Sequence, residues 1–217
     1  MGVREHYIKE LENLRSTILE MGELATDAFE QVIYALRNND QIMTEYVISS
    51  DYIINKKETS INETVTLMIA KQQPVASDLR SVIVALKISS DLERVGDLAV
   101  DMAKGGKRLK KGALTDERIE LCVLAEQACD MLKKALRAYN EGNVLAAQRI
   151  AQEDDLIDTK YALFIRNLFQ LVPNTGIVEE VTQLAFIGRY IERIADYATN
   201  IAEWIVYEAN GKYFDLN

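Results

Sequence analysis

The chain has 217 residues, of which only two are proline and ten are glycine, and a formal net charge of −9. At about 150 residues per domain the length gives one domain or two small ones with ample core, and 48% hydrophobic residues exclude a disordered acidic tail. So few turn-forming residues leave little room for an all-β fold, and the acid excess argues against nucleic acid as a partner, since its phosphates are neutralised by Lys and Arg.

From the start of the chain the apolar positions step by three and four, the spacing of an amphipathic helix. Leu11, Leu14, Ile18, Met21, Ala25, Ala28, Val32 and Ala35 make the seam of a first helix, which should end near Asn38 and Asn39 with Asp40 capping the next. The second runs through Val47, Ile54, Ile61, Val65 and Met68 as far as Pro74, because a residue before proline is disfavoured in the helical region. The third carries Ala85, Ile88, Leu92, Val95, Ala99 and Met102 and stops at Gly105 and Gly106, a C-terminal signal. A basic stretch follows in this acidic chain: Lys104, Lys107, Arg108, Lys110 and Lys111. It reads either as a solvated linker whose lysines suit a helix C-terminus or as a contact for an anionic partner. It is not a phosphate-cradling loop, because Arg108 follows Lys107 and no glycine stands five residues before Gly106.

A fourth helix spans Thr115 to about Tyr139, followed by a break at Asn140 to Asn143. A fifth extends to Val172, and a sixth ends at Asn210 and Gly211. The seam of the sixth, Leu184, Ile187, Ile191, Ile194, Ala198, Ile201 and Ile205, implies helix-on-helix packing of the bundle type. Cys122 and Cys129 lie seven residues apart on the fourth helix, about 10 Å along its axis and too far to bridge, so small buried hydrophobes are expected. The longest apolar stretches, such as Val82 to Leu86, are around five residues, far short of the roughly 20 that span a bilayer. The N-terminus lacks the apolar region of a secretory signal, and His6 stands where myristoylation needs Ser or Thr. A cytoplasmic protein without membrane insertion is expected.

The chain repeats itself. Asp91 to Asp101 matches Tyr190 to Asn200 at an offset of 99, which also carries Pro74 onto Pro173. Asp51 to Asn55 answers Asp154 to Asp158 at an offset of 103, and Ala35 to Arg37 answers Ala135 to Arg137 at 100. The expected fold is therefore all-α: two tandem, similar three-helix bundles with six long helices, residues 1–105 and 115–217, joined by the basic linker 106–114.

The third and sixth helices carry groups at four-residue spacing, Glu93, Asp97 and Asp101 in one and Glu192, Asp196 and Asn200 in the other. These fall within about 80° of one another, roughly opposite the apolar seam. One reading is a solvated face on which Arg94 and Arg193 pair with Asp97 and Asp196. The other is a cation site, since like charges at this spacing repel by a few tenths of a kcal/mol per pair. Oxygen donors without thiols suit hard divalent ions such as Mg²⁺, Ca²⁺ or Mn²⁺, and also iron. Asp51 and Asp154 instead interrupt apolar stripes, between Val47 and Ile54 and between Ile150 and Ile157. An unpaired buried carboxylate is expensive, so each fixes register, forms an ion pair, or handles a metal or anion. Spacing does not settle whether Asp51 meets Glu93.

Taken together, these motifs resemble the PhoU family of bacterial phosphate-signalling regulators: two three-helix units, each with an upstream Asp-x-x-Ile-Asp/Asn, a proline before the last helix and a closing Glu-Arg-x-x-Asp. The resemblance covers nearly the whole chain. It implies two similar three-helix bundles with a pair of surface multinuclear divalent metal sites of iron, Mg, Mn or Ca. The implied ligands are Glu93, Asp97 and Asp101 in the first unit and Glu192, Asp196 and Asn200 in the second, with Asp51, Asp154 and Asp158 as partnering candidates. Two departures stand out. Leu98 and Tyr197 replace the histidine that many members place after the motif aspartate, and Asn200 and Tyr190 leave the second site less anionic. The resemblance further implies a non-enzymatic negative regulator of phosphate uptake and of the phosphate-starvation response. Its implied partners are a phosphate transporter ATPase subunit and a sensor histidine kinase. Peripheral membrane contact and a homodimer are also expected, with apolar flanks such as Leu98 and Trp204 left uncovered for association. The rivals are a ferritin-like di-metal carboxylate oxidoreductase and a metal-free helical structural adaptor. The former wants Glu-x-x-His on two helices, whereas this chain has one histidine, His6, expected to be solvated near a frayed N-terminus.

Overall fold

The computed structural model describes residues 3–171, 175–214 and 216. The helices in chain order are α1 (Val3–Asn38), α2 (Gln41–Ser50), α3 (Tyr52–Gln72), α4 (Ser77–Lys107), α5 (Thr115–Glu141), α6 (Val144–Phe169) and α7 (Val178–Asn210), with a short 3-10 turn at Thr175–Ile177 leading into α7. No strand occurs among the described residues. The two three-helix units are present in tandem, as the repeat predicts. The expected second helix, however, is two pieces, α2 and α3, interrupted at Asp51. That residue keeps helical backbone angles (φ −50°, ψ −40°), so the break leaves the apolar spacing across it undisturbed. Pro173 and Val172, the expected end of the fifth helix, lie outside the described residues.

Local chemistry ends and starts the helices as the residues dictate. Asn39 takes a left-handed conformation (φ 53°), and Asp40 N–H returns to the Ala35 carbonyl at 3.0 Å. The Asp40 side chain then accepts from the N–H groups of Ile42 and Met43, satisfying two of the amides that a helix start leaves unpaired. Ahead of Pro74, Gln73 is left-handed (φ 48°) and donates its N–H to Ile69 O.

The centre of the molecule is the antiparallel pair α4 and α7. Along it Arg80 meets the Glu208 carbonyl, Asp91 meets Trp204, and Gly105 faces Ile187. Ile88, Leu92, Val95, Ala99 and Met102 on α4 and Ile187, Ile191, Ile194, Ala198 and Ile201 on α7 are fully buried, each larger side chain contributing about 1.5–3 kcal/mol. Helices α1 and α3 pack on α4, and α5 and α6 on α7, while α1 also packs on α5. With neighbours on several sides, α4 and α7 bury more than a single seam. Leu98 is therefore only 4% exposed, not an uncovered flank. Trp204 is half-buried against the core, its Nε1 donating to Asp91 at 3.0 Å. Cys122 and Cys129 are free and buried, and burial pushes their thiols up to about 11 and about 12. No helix among the described residues is long and apolar enough to cross a membrane.

Candidate functional site

Two acidic surfaces flank the central pair, one where α3 meets α4 and one where α6 meets α7. In the second, Asp154 and Asp158 stand one turn apart on α6 and Asp196 faces them from α7. Carboxylate oxygens of the three lie within 4.8 Å of one another. The cluster grades from buried to open: Asp154 is 3% exposed, Asp196 half-buried and Asp158 exposed. One Asp154 oxygen, Oδ1, is buried without a hydrogen-bond partner. Burial, reinforced by the charges of Asp158 and Asp196, pushes the Asp154 carboxyl up to about 7. Asp196 is raised by burial and by Asp158, against the pull of Arg189 and Arg193. Glu192, one turn earlier on α7, is raised by burial and then by Asp196. Its Oε1 pairs with Arg189, and its Oε2 is buried without a partner. Asn200 is half-buried on the same helix, one turn beyond Asp196.

The first unit is looser. Asp51 Oδ2 accepts from Asn55 Nδ2 at 2.9 Å, while Asp51 Oδ1 and Asn55 Oδ1 are buried without partners. Gly96 allows this approach of α3 to α4, since a Cβ there would come within 2.9 Å of Ile54 Cδ1. Asp51 does reach the α4 motif: its charge helps raise both Asp97 and Glu93, after the larger effect of burial in each. The other charges compensate one another. Arg94 lies 3.5 Å from Glu93 and 3.4 Å from Asp97, and Lys104 lies 3.4 Å from Asp101. No three carboxylates here approach as closely as those of the second unit.

The motif residues thus sit along helix interfaces and not opposite them. Glu93 and Glu192 are only 21% and 12% exposed, because α3 and α6 cover the edges that an isolated helix would leave solvated. Sequence reasoning did not reach Glu58, whose charge also raises Glu93, or Asn55, although the repeat sets Asn55 opposite Asp158. Nor did it reach Thr199, buried beside Asp154 and partly countering its shift. Chemically, three clustered carboxylates with orphaned buried oxygens are a repulsive set that a hard divalent cation relieves, and all-oxygen donors fit such an ion. His6, by contrast, pairs with Glu10 at 3.3 Å on the exposed start of α1.

Known proteins share this architecture. A family model described as the PhoU domain matches residues 18–105 and again 121–205. The phosphate-specific transport system accessory protein PhoU homolog of Clostridium acetobutylicum is 37% identical over 216 residues, covering 99% of each chain. The accessory protein PhoU of Escherichia coli K12 is 32% identical over 206 residues, covering 94% of this chain and 86% of that one. Among solved structures, the phosphate transport system regulatory protein PhoU from Streptococcus pneumoniae superposes with a TM-score of 0.91 at 32% identity, covering 96% of this chain and 99% of that one. PhoU from Pseudomonas aeruginosa gives the same TM-score and identity over 95% of this chain and 100% of its own.

Proposed function

Because the chain belongs to the PhoU family, we propose that it is a non-enzymatic negative regulator of phosphate uptake and of the phosphate-starvation response. It acts in the cytoplasm by contact with the ATPase subunit of a phosphate transporter and with a sensor histidine kinase, working as a homodimer of chains built from units 1–105 and 115–217. The names of its relatives as accessory or regulatory proteins of phosphate transport support this reading.

One observation carries the chemistry, the convergence of Asp154, Asp158 and Asp196. Those three residues, with Glu192 beside them, would hold a divalent cation, and the Glu93, Asp97, Asp101 and Asp51 surface forms the weaker counterpart. Bound there, such an ion supplies positive charge where the fold concentrates negative charge. Asp154 anchors the set from within the α6–α7 interface, and the more open Asp158 and Asp196 extend it to the surface. Arg189, committed to Glu192, and Arg193 moderate the remaining charge. The face presented to partners is thereby set by rigid helices. The oxidoreductase alternative is disfavoured because it wants Glu-x-x-His on two helices, whereas the lone histidine pairs with Glu10 on α1, a helix that supplies none of the clustered carboxylates.

Two measurements test the proposal in separate parts. Deletion in the source bacterium should leave a phosphate-starvation reporter active in high phosphate, and a reporter that still switches off normally defeats the regulatory reading. Metal analysis of protein purified without chelator should find divalent metal in the wild type and much less in an Asp154→Asn/Asp196→Asn variant. Equal and negligible metal in both removes the metal and leaves the regulator.

A further inference from the structure

One arginine on an apolar seam has no carboxylate partner among the described residues. At an offset of 100, the seam residues Ile18, Met21 and Ala25 of α1 correspond to Arg118, Leu121 and Ala125 of α5. The second repeat has therefore placed an arginine where the first has an isoleucine. Ile18 is fully buried, and Arg118 is 7% exposed. Neighbouring cations are matched, Arg37 with Glu126 at 2.6 Å, Lys107 with Glu45, and Lys110 with Glu180 at 2.9 Å. The Arg118 guanidinium joins none of the ion pairs among the described residues, and its Nε lacks a hydrogen-bond partner. Only Nε is fully buried, so the two terminal nitrogens keep contact with solvent, and the guanidinium, which does not shed its proton as a buried lysine can, presents a positive charge that an anion would balance.

Arg118 lines a small cavity where α1 ends and α2 begins. Its walls include the side chains of Leu36 and Leu109 and the polar groups of Asn39, Gln41 and Thr44, with no carboxylate among the lining residues. The space, about 10 Å³ and partly open, admits one water-sized atom. The Asp40 carboxylate is turned to the Ile42 and Met43 amides, and Thr44 Oγ1 donates to Asp40 O. Asn39 and Gln41, which also line the cavity, bring neutral side-chain amides. Leu109 belongs to the basic run of Lys107, Arg108, Lys110 and Lys111; with Lys107 and Lys110 paired to Glu45 and Glu180, Arg108 and Lys111 are the members that raise the local potential.

We propose that this cavity binds a small oxyanion of the phosphate class, one oxygen entering toward Arg118 and the others resting at the mouth against Asn39, Gln41 and the basic run. The competing account is electrostatic: α1 and α4 both end nearby, at Asn38 and Lys107, and the negative ends of two helices favour a cation. The oxyanion site does not depend on metal at the acidic cluster.

The test uses the full chain, stripped of metal with a chelator, and inorganic phosphate as the probe at constant ionic strength set with chloride. The expected result is a saturable rise in melting temperature, about 3–6 °C at phosphate tenfold above its dissociation constant, with a calorimetric heat for one site. Arg118→Ile restores the seam residue of the first repeat and should fold but lose both signals. Arg118→Lys, which lacks the planar fork, should bind about tenfold more weakly. The Asp154→Asn/Asp196→Asn variant should keep the rise, and its loss there would place the anion on residual metal and overturn the proposal. So would a wild-type melting temperature and heat indifferent to phosphate, which decide the matter even if Arg118→Ile fails to fold. A rise retained by Arg118→Ile would overturn it equally, leaving Arg118 as a cation for two helix ends.

Discussion

Asp91 and Trp204 join the two repeats through one hydrogen bond, and burial gives that bond a pH dependence. Burial pushes the Asp91 carboxyl up to about 7, although the Trp204 hydrogen bond and Lys87 both pull it down, while Glu203 adds to the rise. Glu203 is itself 4% exposed and is engaged by the C-terminal segment, through Tyr213 Oη and Leu216 N. The sign follows from proton counting. Between the usual value of 3.8 and about 7 the folded chain keeps the Asp91 proton and the unfolded chain has lost it, so this group's contribution to stability falls as pH rises. Metal-free protein should therefore lose stability from Asp91 between about pH 4 and 7, and Asp91→Asn should flatten that part of the profile in urea unfolding. Trp204 is the only tryptophan, so its fluorescence should titrate near the same pH in the wild type and not in Asp91→Asn. A variant with an unchanged titration would assign the effect to another carboxyl.

At the level of single helices, the junction between α1 and α2 rests on Asp40, whose one carboxylate oxygen takes both the Ile42 and Met43 amides at 2.9 and 3.0 Å. Asp40→Ala should cost about 1 kcal/mol, seen as a lower urea midpoint at unchanged slope, while Asp40→Asn should keep most of it. Such junctions are legible in sequence because capping is local: Asp40, Pro74 and Gly211 announce helix boundaries within a turn or two. The break at Asp51 was not legible, since Val47, Asp51 and Ile54 hold helical spacing straight through a residue that itself stays helical. The acidic site was legible in part. Repetition singled out Asp154, Asp158 and Asp196, but the tighter cluster formed in the unit that Asn200 and Tyr190 make less anionic. Composition counts charges along one helix, whereas closeness depends on how far Asp154 and Asp158 project from α6 across to α7. Arg118 was missed because it lies at the very start of its seam, where one charged residue reads as a helix end; only alignment with Ile18 exposes it.

Across the whole molecule, the two repeats are not beads on a linker, because their closing helices α4 and α7 share one core. Ile187 on α7 is fully buried and sits over Gly105 of α4, where a Cβ would lie 3.1 Å from Ile187 Cγ1. Arg15 of α1 reaches across to Glu208 of α7 at 3.2 Å and lies over the Tyr139 ring of α5 at 4.8 Å. Contacts of this kind cross the repeat boundary near both ends of the central pair, so neither half can lose its packing without exposing apolar surface of the other. Unfolding should then be one cooperative transition, with Trp204 fluorescence, which senses the interface, coincident with far-UV circular dichroism, which senses all helices. Ile187→Ala leaves a cavity between the repeats and should destabilise the chain by about 2–5 kcal/mol, moving both probes together. If fluorescence moved to lower urea while the circular dichroism split into two steps, the repeats would be separate folding units, and the acidic faces they carry could shift relative to one another.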